Sequence, residues 1–131
     1  MDVNFTDNSE QVLKALSDKI HTALDSVGST AAGYAQDGAP VDTGDLRNSI
    51  THEVGNDEVN IGTNVEYAVY QEYGTGIYAE DGSGRQTPWF YEGSDGKMHM
   101  TYGSKPHHFL KNSVMNHQQE YQRMIETIMK Q

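Results

Sequence analysis

The chain has 131 residues and a formal charge of -10, from nineteen acids against nine bases, which bounds it to one small acidic domain. Hydrophobic residues make up 35% and the mean hydropathy is -0.73, enough for one modest core and little more. No two bases are adjacent, so the clustered cations that a duplex-binding or anionic-membrane surface needs are missing.

The opening Met1-Asp2-Val3-Asn4-Phe5 is acidic and polar rather than a basic leader. No run reaches the ~18 apolar residues of a membrane span, and the product is expected to be soluble and unprocessed. Leu13, Leu16, Ile20, Leu24, Val27, Ala31 and Tyr34 then recur every three or four residues, one apolar stripe of a helix. Asp7 with Glu10, or Asn8 with Gln11, offers a capping-box start, and Gly38 with Pro40 the stop. Such a helix, from about Asn8 to Asp37, spans roughly 45 Å. Gly28 and Gly33 weaken it by up to ~1 kcal/mol each, so its last turns are expected to bend or fray.

Past Pro40, Asp42 or Thr43 is positioned to cap a short turn that carries Leu46 inward. Arg47, the only cation near an acidic region, is placed to bridge Glu66 or Glu72. Ile50, His52 and Val54 alternate with Thr51 and Glu53, Asn56-Asp57 supplies a turn, and Val59 and Ile61 alternate again, which reads as a hairpin. Asn64 is a candidate cap for a short helix from Val65 to about Tyr73. The stretch from Gly74 to Pro88 is polar and non-periodic, a loop expected to order only when a partner covers Ile77 and Tyr78. A second hairpin follows from Trp89-Phe90-Tyr91-Glu92, the Gly93-Ser94-Asp95-Gly96 turn and Lys97 to Tyr102, with Met98, Met100 and Tyr102 on one face. Leu110, Val114, Tyr121, Ile125 and Ile128 mark a closing helix over about 108–130.

This order predicts a single α+β domain over residues 1–131. An antiparallel sheet of about four strands is covered by a long N-terminal and a C-terminal helix, with one short helix and a long loop. Leu16, Ile20, Leu24, Val114, Tyr121 and Ile125 are the expected core, with both long helices on the same sheet.

Chemistry finds little footing. Cysteine is absent, which excludes disulfides, zinc ribbons and thiol catalysis. His107 and His108 are sequence neighbours that point about 100° apart on a helix, and no HExxH occurs. Asp81-Gly82-Ser83-Gly84 opens like a calcium loop, but Arg85 stands where an oxygen ligand belongs. Gly74-Thr75-Gly76 lacks the trailing Gly-Lys of a phosphate loop. Asp42, Asp45 and Glu53 can be drawn as an acid–base set, but carboxylates in so acidic a chain are ordinarily solvated. No catalytic residue, cofactor or metal site is expected. The remaining signal is charge distribution: between Arg47 and Arg85 there is no Lys or Arg and there are seven acids. That is either a solvated face or the lining of a channel through which a polyanion passes without sticking, with Glu53, Asp57, Glu58 and Glu66 as the candidate channel-facing acids.

Ala39-Pro40-Val41-Asp42-Thr43-Gly44-Asp45-Leu46-Arg47-Asn48-Ser49-Ile50, Gly62-Thr63-Asn64-Val65-Glu66-Tyr67-Ala68 and Glu72-Tyr73-Gly74-Thr75-Gly76 together resemble a known pattern. It is that of the tail-completion, or head–tail joining, family of long-tailed, non-contractile bacteriophages and their prophages. The block from Thr87-Pro88-Trp89-Phe90-Tyr91 through Gly96-Lys97 to Gly103-Ser104-Lys105-Pro106-His107-His108-Phe109-Leu110 is similar to the same family. That family often has Pro directly before the Phe, where this chain has His108. The resemblance implies a structural virion protein of the tail neck, made in the host cytoplasm. It implies a hexameric ring of this chain at the head-proximal end of the tail. The implied partners are the tail tube or tail terminator protein on one side and the head connector or stopper protein on the other. DNA would pass through the ring without specific binding, and no membrane is involved. Tyr67, Tyr70 and Tyr73 are rigid amphipathic contacts of the kind interfaces use. With Glu72, Ile77, Tyr78, His107 and His108 they form the candidate assembly interface, although Tyr67 and Tyr73 fit core packing as well. A tail terminator that caps the tube is the nearest rival. A small metal-dependent hydrolase using His107, His108 and Asp81 is a remote one.

Overall fold

The N-terminal stripe and its Gly38 stop produce, in the computed structural model, a 30-residue helix α1 (Ser9–Gly38). The structure describes residues 7–41 and 44–131. The capping role read for Asp42 or Thr43, and any pairing of Asp42, therefore lie outside the described residues. After α1 come α2 (Asp45–Ser49), β1 (Thr51–Val54), β2 (Val59–Gly62), α3 (Ala68–Tyr73), a 3-10 turn (Gly76–Tyr78), β3 (Trp89–Glu92), β4 (Met98–Thr101), α4 (Phe109–Met115) and α5 (Gln118–Met129). The α+β class agrees with the sequence reading. The four strands form two separate antiparallel ladders, β1–β2 and β3–β4, rather than one continuous sheet.

Helix α1 lies in the middle. The β1–β2 hairpin rests on it, and α4 and α5 also pack on it, so the closing helices meet α1 more than they meet a common sheet. Register in the first hairpin pairs His52 with Ile61 and Val54 with Val59, placing these side chains toward α1 and Glu53 outward. Gly55 N–H donates to the Glu58 carbonyl at 2.8 Å and closes the turn around Asn56-Asp57. His52 Nε2 lies 2.8 Å from Asp25 Oδ1 and pins the hairpin to the helix.

The core consists of two linked groups. Ala32, Ala35, Ala39, Leu46, Ile50, Ala68 and Phe109 form one; Val27, Ala31 and Tyr121 form the other, and Ile61 packs against both. Of the residues expected in the core, Tyr121 is buried, Ile20 and Leu24 are half-buried, and Leu16, Val114 and Ile125 are exposed. The buried face of α1 is instead Ala23, Val27, Gly28, Ala31, Ala32 and Ala35. Small side chains win there because the hairpin comes so close. A Cβ on Gly28 would stand 2.5 Å from Val59 Cγ2 and 2.7 Å from His52 Cδ2. Gly33 has nothing within 4 Å of such a Cβ. The helix continues without interruption through both glycines.

Several local expectations are revised. At the start of α1, Asp7 accepts the Ser9 hydroxyl and, at 2.9 Å, the Ser9 N–H, which holds its carboxyl below the usual range. Neither capping box forms, since the N-cap Asn8 makes no side-chain cap bond. Arg47 reaches neither Glu66 nor Glu72: its Nε donates to the Gln36 carbonyl at 3.0 Å, placing a cation at the negative end of α1. Asn64 does not cap α3, which begins at Ala68; Thr63 Oγ1 takes the Val65 N–H at 3.0 Å instead. The closing helix is two helices, broken at Asn116-His117. The His117 ring stacks on Tyr34 with centroids 3.5 Å apart. Tyr34 donates its hydroxyl to Glu120 at 2.6 Å, and the Tyr121 hydroxyl reaches back across the break to the Ser113 carbonyl. The break lets α5 turn along α1.

The loop from 74 to 88 was expected to lack order without a partner, but its first part is tied to the chain leaving β4. Thr75 N–H donates to Ser104 O at 2.9 Å, Ile77 N–H to Tyr102 O at 3.0 Å, and Ser104 N–H to Thr75 Oγ1 at 2.9 Å. Glycine permits this approach. At Gly76, with φ of 63°, a Cβ would fall 1.9 Å from Tyr102 O. Backbone pairing supplies the order that a polar sequence could not obtain by apolar burial.

Two outcomes follow from this packing. Gly28→Ala lowers stability by about 1–3 kcal/mol through overpacking, whereas Gly33→Ala raises it by roughly 0.5–1 kcal/mol through helix propensity; paired urea melts measure both. Burial pushes the Tyr121 phenol up to about 12. The unfolded phenol ionises near pH 10, so between pH 10 and 12 the folded state holds a proton that the unfolded state has lost. Thermal stability is thus unaffected by this group below pH 10 and falls as pH rises through that window. Tyr121→Phe flattens that slope in a melting-temperature series.

Candidate assembly interface

Helix α3 turns two residues inward and three outward. Ala68 and Glu72 are buried, while Val69, Tyr70 and Tyr73 are exposed, with Tyr67 exposed just before them. Ile77 and Tyr78, held by the 3-10 turn, extend the exposed apolar surface. Between α3 and the loop lies a groove of about 690 Å³ with Val69, Tyr70 and Tyr73 on one wall and Ala79, Glu80 and Asp81 on the other. Asp81 accepts the Ser83 hydroxyl at 2.7 Å and the Ser83 N–H at 2.9 Å, which keeps its carboxyl below the usual range and the rim anionic. Val69, 58% exposed, was not among the residues singled out from sequence. Its signal was available: it is the apolar residue between Tyr67 and Tyr73 that does not share the Ala68–Glu72 face.

Glu72 sits apart from this surface. It is 4% exposed, and its carboxylate accepts the Leu110 N–H at 2.8 Å and the Lys111 N–H at 3.0 Å. Those are orphan donors of the first turn of α4, whose own N-cap residue supplies no side-chain bond. A carboxylate from α3 does the capping. The backbone joins in, with His107 N–H donating to Gln71 O at 2.8 Å and His108 N–H to Glu72 O at 3.3 Å.

His108 is the one non-glycine residue with positive φ among those described, at 53°. Proline, fixed near -65° and lacking an N–H, fits neither that conformation nor that hydrogen bond. This corner is thus built differently from a Pro-Phe junction. The imidazole stands between two carboxylates: Nδ1 lies 3.6 Å from Glu72 and Nε2 lies 3.6 Å from Glu80. Nδ1 is buried without a hydrogen-bond partner. His107 is exposed and engages through its backbone. His108 meets Glu72 and Glu80 rather than Asp81, so the three residues of the hydrolase reading do not converge. Among the described residues no group of three or more His, Asp or Glu is placed to hold a metal ion.

The candidate channel acids are exposed. Glu53 is on the outer face of β1, Asp57 and Glu58 are at the hairpin tip, and Glu66 precedes α3. No helix among the described residues is long and apolar enough to cross a membrane. Because Glu72 caps α4, Glu72→Ala leaves two donors unpaired and costs about 2–4 kcal/mol, whereas Tyr70→Ala on the exposed face costs less than about 1 kcal/mol; denaturant titration of both variants checks the division.

Comparison with known proteins sharpens this picture. The sequence profile of a bacteriophage tail-component family, HK97-gp10-like, matches residues 4–74, which takes in α1, both strands of the first hairpin and all of α3. No curated protein and no solved structure matches the chain. The matched segment covers more than half of the sequence, and it ends where the exposed tyrosine face of α3 ends. This chain belongs to the HK97-gp10-like family of bacteriophage tail components.

Proposed function

We propose that this tail component forms a hexameric ring at the head-proximal end of the tail. The ring joins the tail tube, or its terminator protein, to the head connector or stopper protein, and leaves a channel through which DNA passes. The role is structural, and its site is the virion neck. The observation that carries the reading is the exposed face of Tyr67, Val69, Tyr70 and Tyr73 with Ile77 and Tyr78, in a chain whose core is mostly alanine. An apolar surface of this kind, rimmed by acids, is the mark of a protein that completes its burial in an assembly. Glu53, Asp57, Glu58 and Glu66 are exposed in a stretch without a single base, which supports a DNA passage that repels phosphates rather than binding them.

A chain-null phage separates the joining role from that of a tail terminator. Full-length tails that fail to attach to heads support joining. Tubes that grow past their normal length establish the terminator role instead. The channel is tested by Glu53→Lys/Asp57→Lys/Glu58→Lys. These three side chains are exposed, so folding and particle assembly continue. Genome release slows, and the free variant shifts duplex DNA at low salt where the parent chain does not. Normal release from the variant particles would remove the acids from the channel.

A further inference from the structure

We propose that residues 1–6 of one copy add as a third strand to the free edge of β2 in the next copy. The inference rests on the assembly reading above and names a contact within it.

The first hairpin leaves the outer edge of β2 without a partner. Gly55 N–H bonds to the Glu58 carbonyl, and from that pair the bonding alternates along the antiparallel ladder. Asn60 and Gly62 therefore turn their backbone groups to β1, and Val59 and Ile61 turn theirs to the outer edge. The sheet ends at β2, and no other described group bonds to the backbone of Val59 or Ile61. That edge faces a groove of about 820 Å³, since every residue from Val59 to Thr63 lines it and no residue of β1 does. Val27 and Ala31 of α1 and Leu110 and Val114 of α4 give the groove an apolar lining. Its charged groups are Lys111 and the corner where His108 meets Glu72 and Glu80. An unpaired strand edge beside an apolar groove is a seat for an added strand, which brings main-chain bonds and alternate side chains.

Pattern and reach identify the occupant. Met1, Val3 and Phe5 alternate with Asp2, Asn4 and Thr6. In an extended strand the first three share one face and the polar three the other. Bonded to β2, the apolar face turns to the same side as Val59 and Ile61 and enters the groove, while Asp2, Asn4 and Thr6 stay in water. Reach excludes the same chain as donor. Val27 lies eighteen residues beyond Ser9 on one continuous helix, about 27 Å along its axis. Only four residues, at most about 14 Å of chain, separate Phe5 from Ser9. Residues 9–18 are exposed on every face, so α1 carries the segment about 15 Å away from its own body. Donor and acceptor surfaces differ, which makes the contact heterologous. Repetition of such a contact closes a ring when the rotation between copies divides a full turn.

The chain has no cysteine, so the contact can be trapped. Phe5→Cys and Val114→Cys, the latter at a groove position 41% exposed, are prepared as single variants and as one double variant. Circular dichroism confirms the parent fold. A short bismaleimide should link the mixed singles into pairs and the double variant into a ladder of multimers, in free protein or in tails. Val3→Asp in the Phe5→Cys chain should cut the product at least tenfold. Hydrogen exchange, read by NMR on a linked pair with only the Val114→Cys copy isotope-labelled, tests the backbone bonds. Its Val59 and Ile61 amides should exchange at least tenfold slower than in the unlinked chain, while Asn60 and Gly62 change little. A double variant that links only within itself would overturn the proposal, as would the absence of mixed product in both settings. A linked pair without protection at Val59 and Ile61 would overturn strand addition. If Val3→Asp/Phe5→Asp chains still take their place at the head-proximal end of tails, this contact fails and the assembly reading stands. Tails that lack the parent chain at that end would remove the assembly reading whatever links form.

Discussion

The β1–β2 hairpin sits on the backbone of α1 at Gly28, and much of the architecture depends on that close approach. Val59 and His52 occupy the volume that any side chain at position 28 would claim. The same closeness explains why the helix face around it is alanine. Small residues let the hairpin on one side and the C-terminal helices on the other both lie near the axis of α1. A core built this way buries little large apolar surface per residue. The larger apolar side chains are left over for the outside, where Val12, Leu13, Tyr70, Phe90 and Met98 are all exposed. Thin core and sticky exterior are two sides of one constraint.

A second constraint fixes the surface proposed for assembly. Glu72 points into the protein and caps α4, which locks the rotation of α3 about its axis. With that rotation set, Tyr70 and Tyr73 have to face outward. The corner at His108 supports the same arrangement through its left-handed backbone and its bond to the Glu72 carbonyl. The glycine contacts that tie residues 75–77 to 102–104 hold the loop wall of the groove against α3 and set the hairpin base beside it. A docking surface held from behind by hydrogen bonds loses little entropy on binding. This suits the assembly role proposed above.

Charge is divided along the chain in the same sense. The acidic stretch, seven acids and no base over residues 48–84, covers the first hairpin, α3 and the start of the loop, whereas the second hairpin carries Glu92 and Asp95 beside Lys97. Self-repulsion within the acidic stretch follows from this distribution.

Sequence by itself determined the element order, the limits of α1, both hairpin turns and the α+β class, because each rests on local rules: apolar period, glycine and proline stops, turn residues. It also located the tyrosines that stand exposed on and beside α3, and the run of acids without a base. Tertiary structure alone decided which face of α1 is buried, since a stripe of leucines is conspicuous in sequence and a stripe of alanines is not. Leu16 marks the loudest part of the pattern and is exposed; Ala31 and Ala35 are quiet and buried. Glu72 could not be separated from the surface acids by type or spacing, because its partners, the N–H groups of Leu110 and Lys111, lie far along the chain. The division of the strands into two ladders, the break before α5 and the order of the loop were hidden for the same reason. Each depends on contacts between segments distant in sequence, and local preference carries no record of which distant segment will arrive.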